Sequence, residues 1–154
     1  MIKINVITAN ISWLRYIKNP TNFIDKKISI YNKKNKSHNK NVIFCTLLLS
    51  GSKQIKKLNL KFRKKNKSTD VLSFPFYTKK ELLSKLKKEK EIYLGDIIIN
   101  ISKIQEKKNI VKFKSEFNKL WVHGIVHLFG YDHKRIKDFK KMKIAEENFL
   151  NCLY

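Results

Sequence analysis

The chain has 154 residues, 42% of them hydrophobic, which is enough for one core, so we expect a single domain over residues 1–154. Its formal net charge is +23, from 35 Lys and Arg against 12 Asp and Glu, which favours nucleic acid as a partner and argues against cationic ligands. The longest apolar run, residues 42–49, is too short to cross a bilayer, so no membrane partner is expected.

The charge has two explanations that composition does not separate. Lysines are spread over every segment, and the chain is also rich in Ile and Asn, as an AT-rich coding sequence would produce. In either case an active site on this surface would attract phosphate backbones. Cys45 and Cys152 have no metal-binding or redox spacing, and the first residues do not resemble a signal peptide, so we expect a reducing, cytoplasmic location.

The first half of the chain predicts two strands and two helices. Alternating apolar residues at 2–6 predict a strand, and the helical period that follows Pro20 predicts a helix beginning there. Residues 42–49 are almost continuously apolar and predict a strand covered on both faces. Apolar residues at helical spacing up to Phe62 predict a short helix with Ser52 as its N-cap.

The middle of the chain predicts two more strands separated by a helix. Residues 71–74 are strand-like, and Pro75 either ends this strand or places it at a sheet edge. Thr78 and Glu81 form a capping box at the start of a lysine-rich helix. Residues 91–100 then predict the last strand.

Three helices are predicted in the remainder. The first begins at about Ser102, the second covers residues 115–129, and the last carries the apolar positions Phe139, Met142 and Phe149. The element order indicates the α+β class, with helices packed on a small mixed β-sheet.

Three of the four histidines lie within residues 123–133. On a helix, His123 and His127 share one face, and Gly130 can end that helix so that the chain returns His133 as a third ligand. Three imidazoles with an open fourth position are typical of a catalytic zinc site, so we predict one Zn²⁺ per chain. The spacing equals that of the metzincin proteases, but the Glu that serves them as general base is Gly124 here. We therefore predict a packing role for Gly124. His38, in a polar stretch, is predicted to be a solvated loop residue.

Four segments together resemble the YbeY family of bacterial rRNA maturation factors. They occur in the expected order between about Leu47 and Leu150, whereas the first forty or so residues match poorly. The segments are Leu58-Asn59 to Phe62-Arg63, Ser68-Thr69-Asp70-Val71-Leu72-Ser73-Phe74-Pro75, Leu94-Gly95-Asp96-Ile97, and the histidine motif with Met142 and Glu146 after it.

This resemblance implies a compact zincin-like fold and a zinc-dependent, single-strand-specific endoribonuclease. It implies a role in ribosome biogenesis, including maturation of the small-subunit rRNA 3′ end, with ribosomal proteins or ribosome-associated factors as further candidate partners. It also implies zinc on His123, His127 and His133, and importance of Arg63 for activity.

The chemistry of phosphodiester cleavage suggests further roles. A guanidinium near the phosphate would stabilise the transition state, so Arg63 is our catalytic candidate, with a surface salt bridge as the alternative. Lys64, Lys65 and Lys67 are candidates for binding the RNA backbone, although each would also suit an exposed turn. Asp132 adjoins a predicted ligand and could orient a histidine or move a proton, or it could be a turn residue.

Two other functions stay open at this point. A zinc peptidase would have the same ligand spacing, and the glycine in place of its general base argues against it. A non-catalytic rRNA-binding assembly factor would use the zinc structurally. The general base and the attacking nucleophile are not identified by the sequence.

Overall fold

The computed structural model describes residues 1–35 and 40–154, and His38 lies outside these described residues. In this part of the chain a four-stranded mixed sheet packs with five α-helices, which confirms the predicted α+β class. The strands are β1 (Ile2–Thr8), β2 (Val42–Ser50), β3 (Val71–Pro75) and β4 (Glu91–Asn100). The helices are α1 (Pro20–Lys34), α2 (Ser52–Arg63), α3 (Lys79–Lys88), α4 (Ile110–Leu128) and α5 (Ile136–Asn151). Short 3₁₀ turns occupy Ile11–Arg15 and Ile101–Lys103.

The sheet has the strand order β1-β2-β4-β3. β1, β2 and β4 run parallel, and β3 pairs antiparallel with β4 at one edge. Pro75 closes this edge strand, where its missing N–H leaves no ladder bond unmade, as predicted. The predicted helix start at Pro20 and the Thr78–Glu81 capping box are also confirmed.

The main core lies between the inner face of the sheet and the helices α1 and α4, with α5 packed on α4. Trp13 and Phe117 are fully buried there, with ring centroids 5.1 Å apart. The indole N–H of Trp13 donates to the Ser50 carbonyl at 3.0 Å, and that of Trp121 donates to Asn118 Oδ1 at 3.0 Å. Both tryptophans therefore bury their rings without leaving a polar atom unpaired. This packing fixes α4, the helix that carries two of the three histidines.

The outer face of the sheet is only partly covered. Ile55 of α2 packs on Leu72 and Ile98, which covers one end of this face. At the other end Phe44 of β2 remains 39% exposed. The prediction that β2 is covered on both faces is therefore wrong, because α2 is too short to reach along the whole strand.

Helix α4 begins earlier than predicted. Asn109 caps it, since its side chain accepts hydrogen bonds from the N–H groups of Val111 and Lys112 at 2.9 and 3.1 Å. The helix predicted from Ser102 is also wrong: the chain makes one 3₁₀ turn there, capped by the Asn100 side chain. No helix within the described ranges is long and apolar enough to span a membrane.

The N-cap of α2 differs from the prediction as well. Gly51 holds the N-cap position and Ser52 is the first helical residue. The Ser52 hydroxyl is instead paired with the side chain of Asn100, whose Nδ2 lies 3.0 Å away. The hydroxyl thus joins α2 to the end of β4.

Candidate metal centre and cleft

The three motif histidines meet at the C-terminal end of α4. His123 and His127 lie one turn apart on the same helix. Gly130 then takes the left-handed conformation, with φ of +83°, and its N–H donates to the His127 carbonyl at 2.8 Å. This turn directs the chain back so that His133 faces the other two rings. The predicted meeting of the three imidazoles is confirmed, whereas metal binding stays a prediction.

The geometry of the cluster suits a single small cation. The candidate ligand nitrogens all lie within 4.8 Å of one another. Ring centroids are 4.6 Å apart for His123 and His127, 4.9 Å for His127 and His133, and 5.7 Å for His123 and His133. A set of three neutral imidazoles is a donor set that Zn²⁺ prefers.

Two of the three rings are held by hydrogen bonds through Nδ1. His127 Nδ1 lies 2.9 Å from the Tyr131 carbonyl, which can only accept, so Nδ1 carries the proton. His123 Nδ1 lies 2.7 Å from Oε1 of Glu146 on α5, and the carboxylate accepts in the same way. In both rings the lone pair is therefore left on Nε2, the atom available to a metal.

The electrostatics keep His127 neutral. Burial, and then the neighbouring His123, lower the pKa of His127 to about 4. A ligand imidazole must be unprotonated, so this environment suits coordination near neutral pH.

Asp132 contacts the backbone of a histidine rather than its ring. Its Oδ1 accepts from the His133 N–H at 2.6 Å, and its Oδ2 lies 3.2 Å from Lys134 Nζ. Burial acts to raise the pKa of Asp132, but the hydrogen bonds from His133 and Lys134 outweigh it and the pKa is lowered. The ionised carboxylate thus stabilises the turn that presents His133.

The histidines line a cleft of about 1210 Å³. Arg63 and Lys65 line the same cleft, as does Asp132. Its cations outnumber its acids. Each acid has a partner: Glu146 has His123, Asp132 has the His133 N–H and Lys134, and Asp70 has the Thr69 hydroxyl and the Val71 N–H. The cationic lining residues are Arg63, Lys65, Lys79, Lys119 and Lys134, and the acidic ones are Asp70, Asp132 and Glu146. The cleft is therefore suited to an anionic ligand.

Lys64 and Lys67 are exposed but do not line the cleft. Lys64 closes α2 in the left-handed conformation, with φ of +57°, and its N–H donates to the Leu60 carbonyl at 3.1 Å. The Lys67 carbonyl accepts from Asn59 Nδ2 at 2.8 Å. These backbone contacts shape the turn that holds Arg63 and Lys65 at the cleft.

The chain is similar to proteins of one known family. Residues 10–154 match the family model described as Endoribonuclease YbeY. A protein named Endoribonuclease YbeY from Pelagibacter ubique is 43% identical over 152 residues, covering 97% of this chain and 94% of the relative. One of the same name from Thermodesulfovibrio yellowstonii is 34% identical, covering 84% of this chain and 76% of the relative. The solution structure of TM1509 from Thermotoga maritima shares the fold, with a TM-score of 0.57 and 24% identity, and it covers 99% of this chain and 89% of that one.

Proposed function

Because this chain belongs to the Endoribonuclease YbeY family, we propose that it is a zinc-dependent endoribonuclease that cleaves single-stranded RNA. We further propose that it acts in the cytoplasm on the 3′ end of small-subunit rRNA during ribosome biogenesis, alongside ribosomal proteins or ribosome-associated factors. The observation that carries the proposal is the cluster of three imidazoles, within 4.8 Å of one another, inside a cleft lined by cations.

The residues of the cleft would divide the work. A zinc ion held by His123, His127 and His133 would act as a Lewis acid on the phosphodiester and lower the pKa of water. Arg63 would place its guanidinium against the phosphate and stabilise the charge that develops there. Lys65 would bind the flanking backbone, while Lys64 and Lys67 would contribute to the wider positive field.

Asp132 would act mainly by position. Its carboxylate fixes the backbone of His133 and stays ionised, so it would hold the third ligand and could accept a proton within the cleft. Glu146 would fix the tautomer of His123 and increase the basicity of that ring.

The two other functions have less support. A peptidase needs a general base next to the first histidine, and Gly124 carries no side chain. A purely structural zinc is usually enclosed by four protein ligands, whereas the described residues place three histidines here, in a cleft. An open site of this kind favours chemistry over a binding role alone.

The experiment that tests the proposal measures cleavage of a labelled, unstructured RNA by the zinc-loaded protein. We expect cleavage that chelator abolishes and that added Zn²⁺ restores. His123→Ala should be inactive, and His38→Ala, which removes the histidine outside the motif, should be active. Because both variants are purified identically, equal cleavage by the two would indicate a contaminating nuclease and contradict the proposal.

The cellular role needs its own test. Cells depleted of the protein should accumulate small-subunit rRNA with an extended 3′ end, and Arg63→Ala should fail to restore the mature end. A normal 3′ end after depletion would contradict the rRNA assignment while leaving the cleavage assay unaffected.

A further inference from the structure

Three aromatic side chains lie side by side on the open end of the outer sheet face. We name Phe44, Tyr93 and Phe76 the aromatic row. The ring centroids of Phe44 and Tyr93 are 5.3 Å apart, and those of Tyr93 and Phe76 are 5.9 Å apart. Phe76 is 65% exposed and Phe44 is 39% exposed. Contiguous exposed rings of this kind typically mark a binding surface.

The row is held in place by the sheet. Phe44 and Tyr93 are direct partners in the β2–β4 ladder, and the Phe76 N–H donates to the Leu94 carbonyl at 2.8 Å. The Tyr93 hydroxyl donates to Asp96 Oδ1 at 2.5 Å and lies 3.2 Å from Thr46 Oγ1. These contacts fix the Tyr93 ring and the backbone of Phe44 and Phe76 before any ligand binds, which reduces the entropy lost on binding.

A glycine makes this arrangement of Tyr93 and Asp96 attainable. Gly95 has φ of +131°, and a Cβ there would lie 2.1 Å from the Phe74 carbonyl oxygen. The β2–β4 register shifts beside it, between Phe44 and Thr46, as expected at a bulge. The extra residue lets side chains three positions apart meet on the same face.

The edge strand β3 connects the row to the cleft. Side chains alternate along a strand, and Ser73 and Pro75 of β3 line the cleft, as does Tyr77 in the bend that follows. Phe76 lies between two of them and contacts Tyr93 of the outer face. The rings of Phe76 and Tyr77 touch edge to face, with centroids 5.0 Å apart. The aromatic row therefore begins at the rim of the cleft and leads away from it over the sheet.

The net charge of +23 and the cations that line the adjoining cleft favour a polyanion as the occupant of the row. Lys3 is the β1 partner of Phe44 and is exposed beside it. Two carboxylates share this face: that of Asp96 accepts from the Tyr93 hydroxyl, and that of Glu91 is exposed two residues before Tyr93 on β4. Exposed rings that continue from a cationic cleft are a combination that suits single-stranded nucleic acids, since bases stack on rings while phosphates pair with basic side chains.

We propose that the aromatic row stacks the bases of single-stranded RNA that extends out of the cleft over β3. This inference rests on the proposed function and adds a second contact region to the same substrate. Because every base has a π-face, the row would hold RNA with little sequence preference. It would also select against duplex RNA, whose bases are stacked on each other.

The test measures binding of fluorescent oligouridine of about 12 nucleotides, within the range of site sizes for single-strand binding folds. Zinc-loaded wild type is compared with Phe44→Ala/Phe76→Ala, Phe76→Leu and Lys3→Ala, at two salt concentrations. Phe139→Ala is the matched control, because this α5 residue is 52% exposed and lies outside both the row and the cleft. Thermal unfolding of every variant checks that it folds.

Loss of stacking should weaken RNA binding about fivefold or more per base that loses its ring. We expect this for the double alanine variant, and a similar single-site loss for Phe76→Leu, which keeps apolar bulk but has no π-face. Lys3→Ala should reduce the salt dependence, and the double alanine variant should leave it unchanged. Photo-crosslinking of thiouridine RNA should label the peptides that contain Tyr93 or Phe76.

Wild-type affinity in the double alanine variant would overturn the proposal. So would wild-type affinity in Phe76→Leu, which would indicate apolar contact rather than stacking. Self-association of the wild type that the double alanine variant abolishes, with RNA binding unchanged, would make the face an interface between copies. Cleavage measured in parallel separates this proposal from the proposed function. If RNA binding depends on the row but no cleavage occurs, only the proposed function is contradicted. If the protein cleaves RNA and the row variants bind it as tightly as the wild type, only the role of the row is contradicted. If the protein does not bind RNA at all, both proposals are contradicted.

Discussion

Gly124 of α4 packs directly against Ile97 of β4: a Cβ at position 124 would lie 2.6 Å from Ile97 Cγ2. No side chain fits between helix and sheet at this position without a shift. The predicted packing role of Gly124 is therefore confirmed. The space that the side chain of the general base would need is filled here by Ile97, so the three histidines lie together without that base.

The contact predicts that Gly124→Ala destabilises the protein. Overpacking costs about 1–3 kcal/mol, and the higher helix propensity of alanine offsets about 1 kcal/mol of it, so we expect a net loss of up to about 2 kcal/mol. Chemical denaturation gives the change in the free energy of unfolding. In the double variant Gly124→Ala/Ile97→Ala the added methyl has room, so the combined loss should be smaller than the sum of the single losses. Strict additivity would show that the contact is not the cause.

The same contact predicts the behaviour of Gly124→Glu. A carboxylate there cannot reach the position it holds in a protease without displacing Ile97, so no peptide hydrolysis should appear and stability should fall further. Release of fluorescent peptide by a purified, zinc-loaded sample is the measurement. Any turnover above the wild-type background would show that the site is a disabled protease.

Local sequence signals predict most of the helices and strands, because many of them begin or end at a residue whose own chemistry sets that boundary. Such local effects start α1 at Pro20, start α3 at the Thr78–Glu81 capping box and end β3 at Pro75, and the structure agrees at each position. The turn at Gly130 is of the same kind, since only the left-handed conformation returns the chain to His133.

The wrong predictions concern features that depend on contacts between residues far apart in the sequence. The apolar run of β2 does not reveal that α2 leaves Phe44 uncovered, because the length of one helix limits what another element buries. Likewise, spacing cannot distinguish Glu146 from the adjacent Glu147, and only the packing of α5 on α4 turns the first toward His123. The resemblance named Glu146 without a role. Asparagine is a favoured N-cap residue, so Asn109 and Asn100 mark the starts of α4 and of the Ile101–Lys103 turn, whereas apolar spacing alone places both starts wrongly.

Glu146→Gln should weaken zinc binding. The amide keeps the shape but removes the charge that raises the basicity of His123, and loss of such an outer contact typically lowers metal affinity about 10-fold to 100-fold. Competition with a chromophoric chelator measures the change. Glu147→Gln is the matched control, because this neighbour on the same helix is exposed. Equal affinities in the two variants would show that the His123–Glu146 contact does not support the metal.

The two thiols should differ in reactivity. Cys45 is 1% exposed, and burial together with the charge of Asp96 raises the pKa of its thiol to about 12, whereas Cys152 is partly exposed. At pH 8 a thiol reagent should therefore modify one cysteine quickly and the second only on unfolding. Cys152→Ser should remove the fast phase. A fast phase that survives this substitution would mean that β2 opens readily.

The raised pKa of Cys45 also makes the stability of the folded protein fall at high pH. The folded thiol ionises only near pH 12, whereas the unfolded thiol ionises near the ordinary thiol pKa of 9.0, so its contribution to stability is full below pH 9 and is lost as the pH rises toward 12. Cys45→Ala lacks this ionisation, so its stability should fall less steeply over that range than that of the wild type. Parallel curves would contradict the assignment.

The arginine at the end of α2 allows chemistry to be separated from binding. Arg63 and Lys65 are both exposed and both line the cleft, but only the guanidinium offers two parallel N–H donors to a phosphate. Arg63→Lys keeps the charge and loses this fork. If Arg63 acts in the transition state, the single-turnover rate at saturating protein should fall by about 10-fold or more, while RNA affinity changes little because many lysines share the binding.

The double substitution Lys64→Ala/Lys65→Ala should behave in the opposite way. It removes positive charge without removing a group from the reacting phosphate, so RNA binding should become weaker and less dependent on salt, with a modest loss of the saturated rate. The left-handed backbone of Lys64 makes Lys64→Gly/Lys65→Ala a useful second version, since glycine adopts that conformation freely. Binding titrations at two salt concentrations give the RNA affinity of each variant, and single-turnover measurements give its cleavage rate. If Arg63→Lys and the lysine variants lose rate and affinity in the same proportion, Arg63 is one more backbone contact and its catalytic role is wrong.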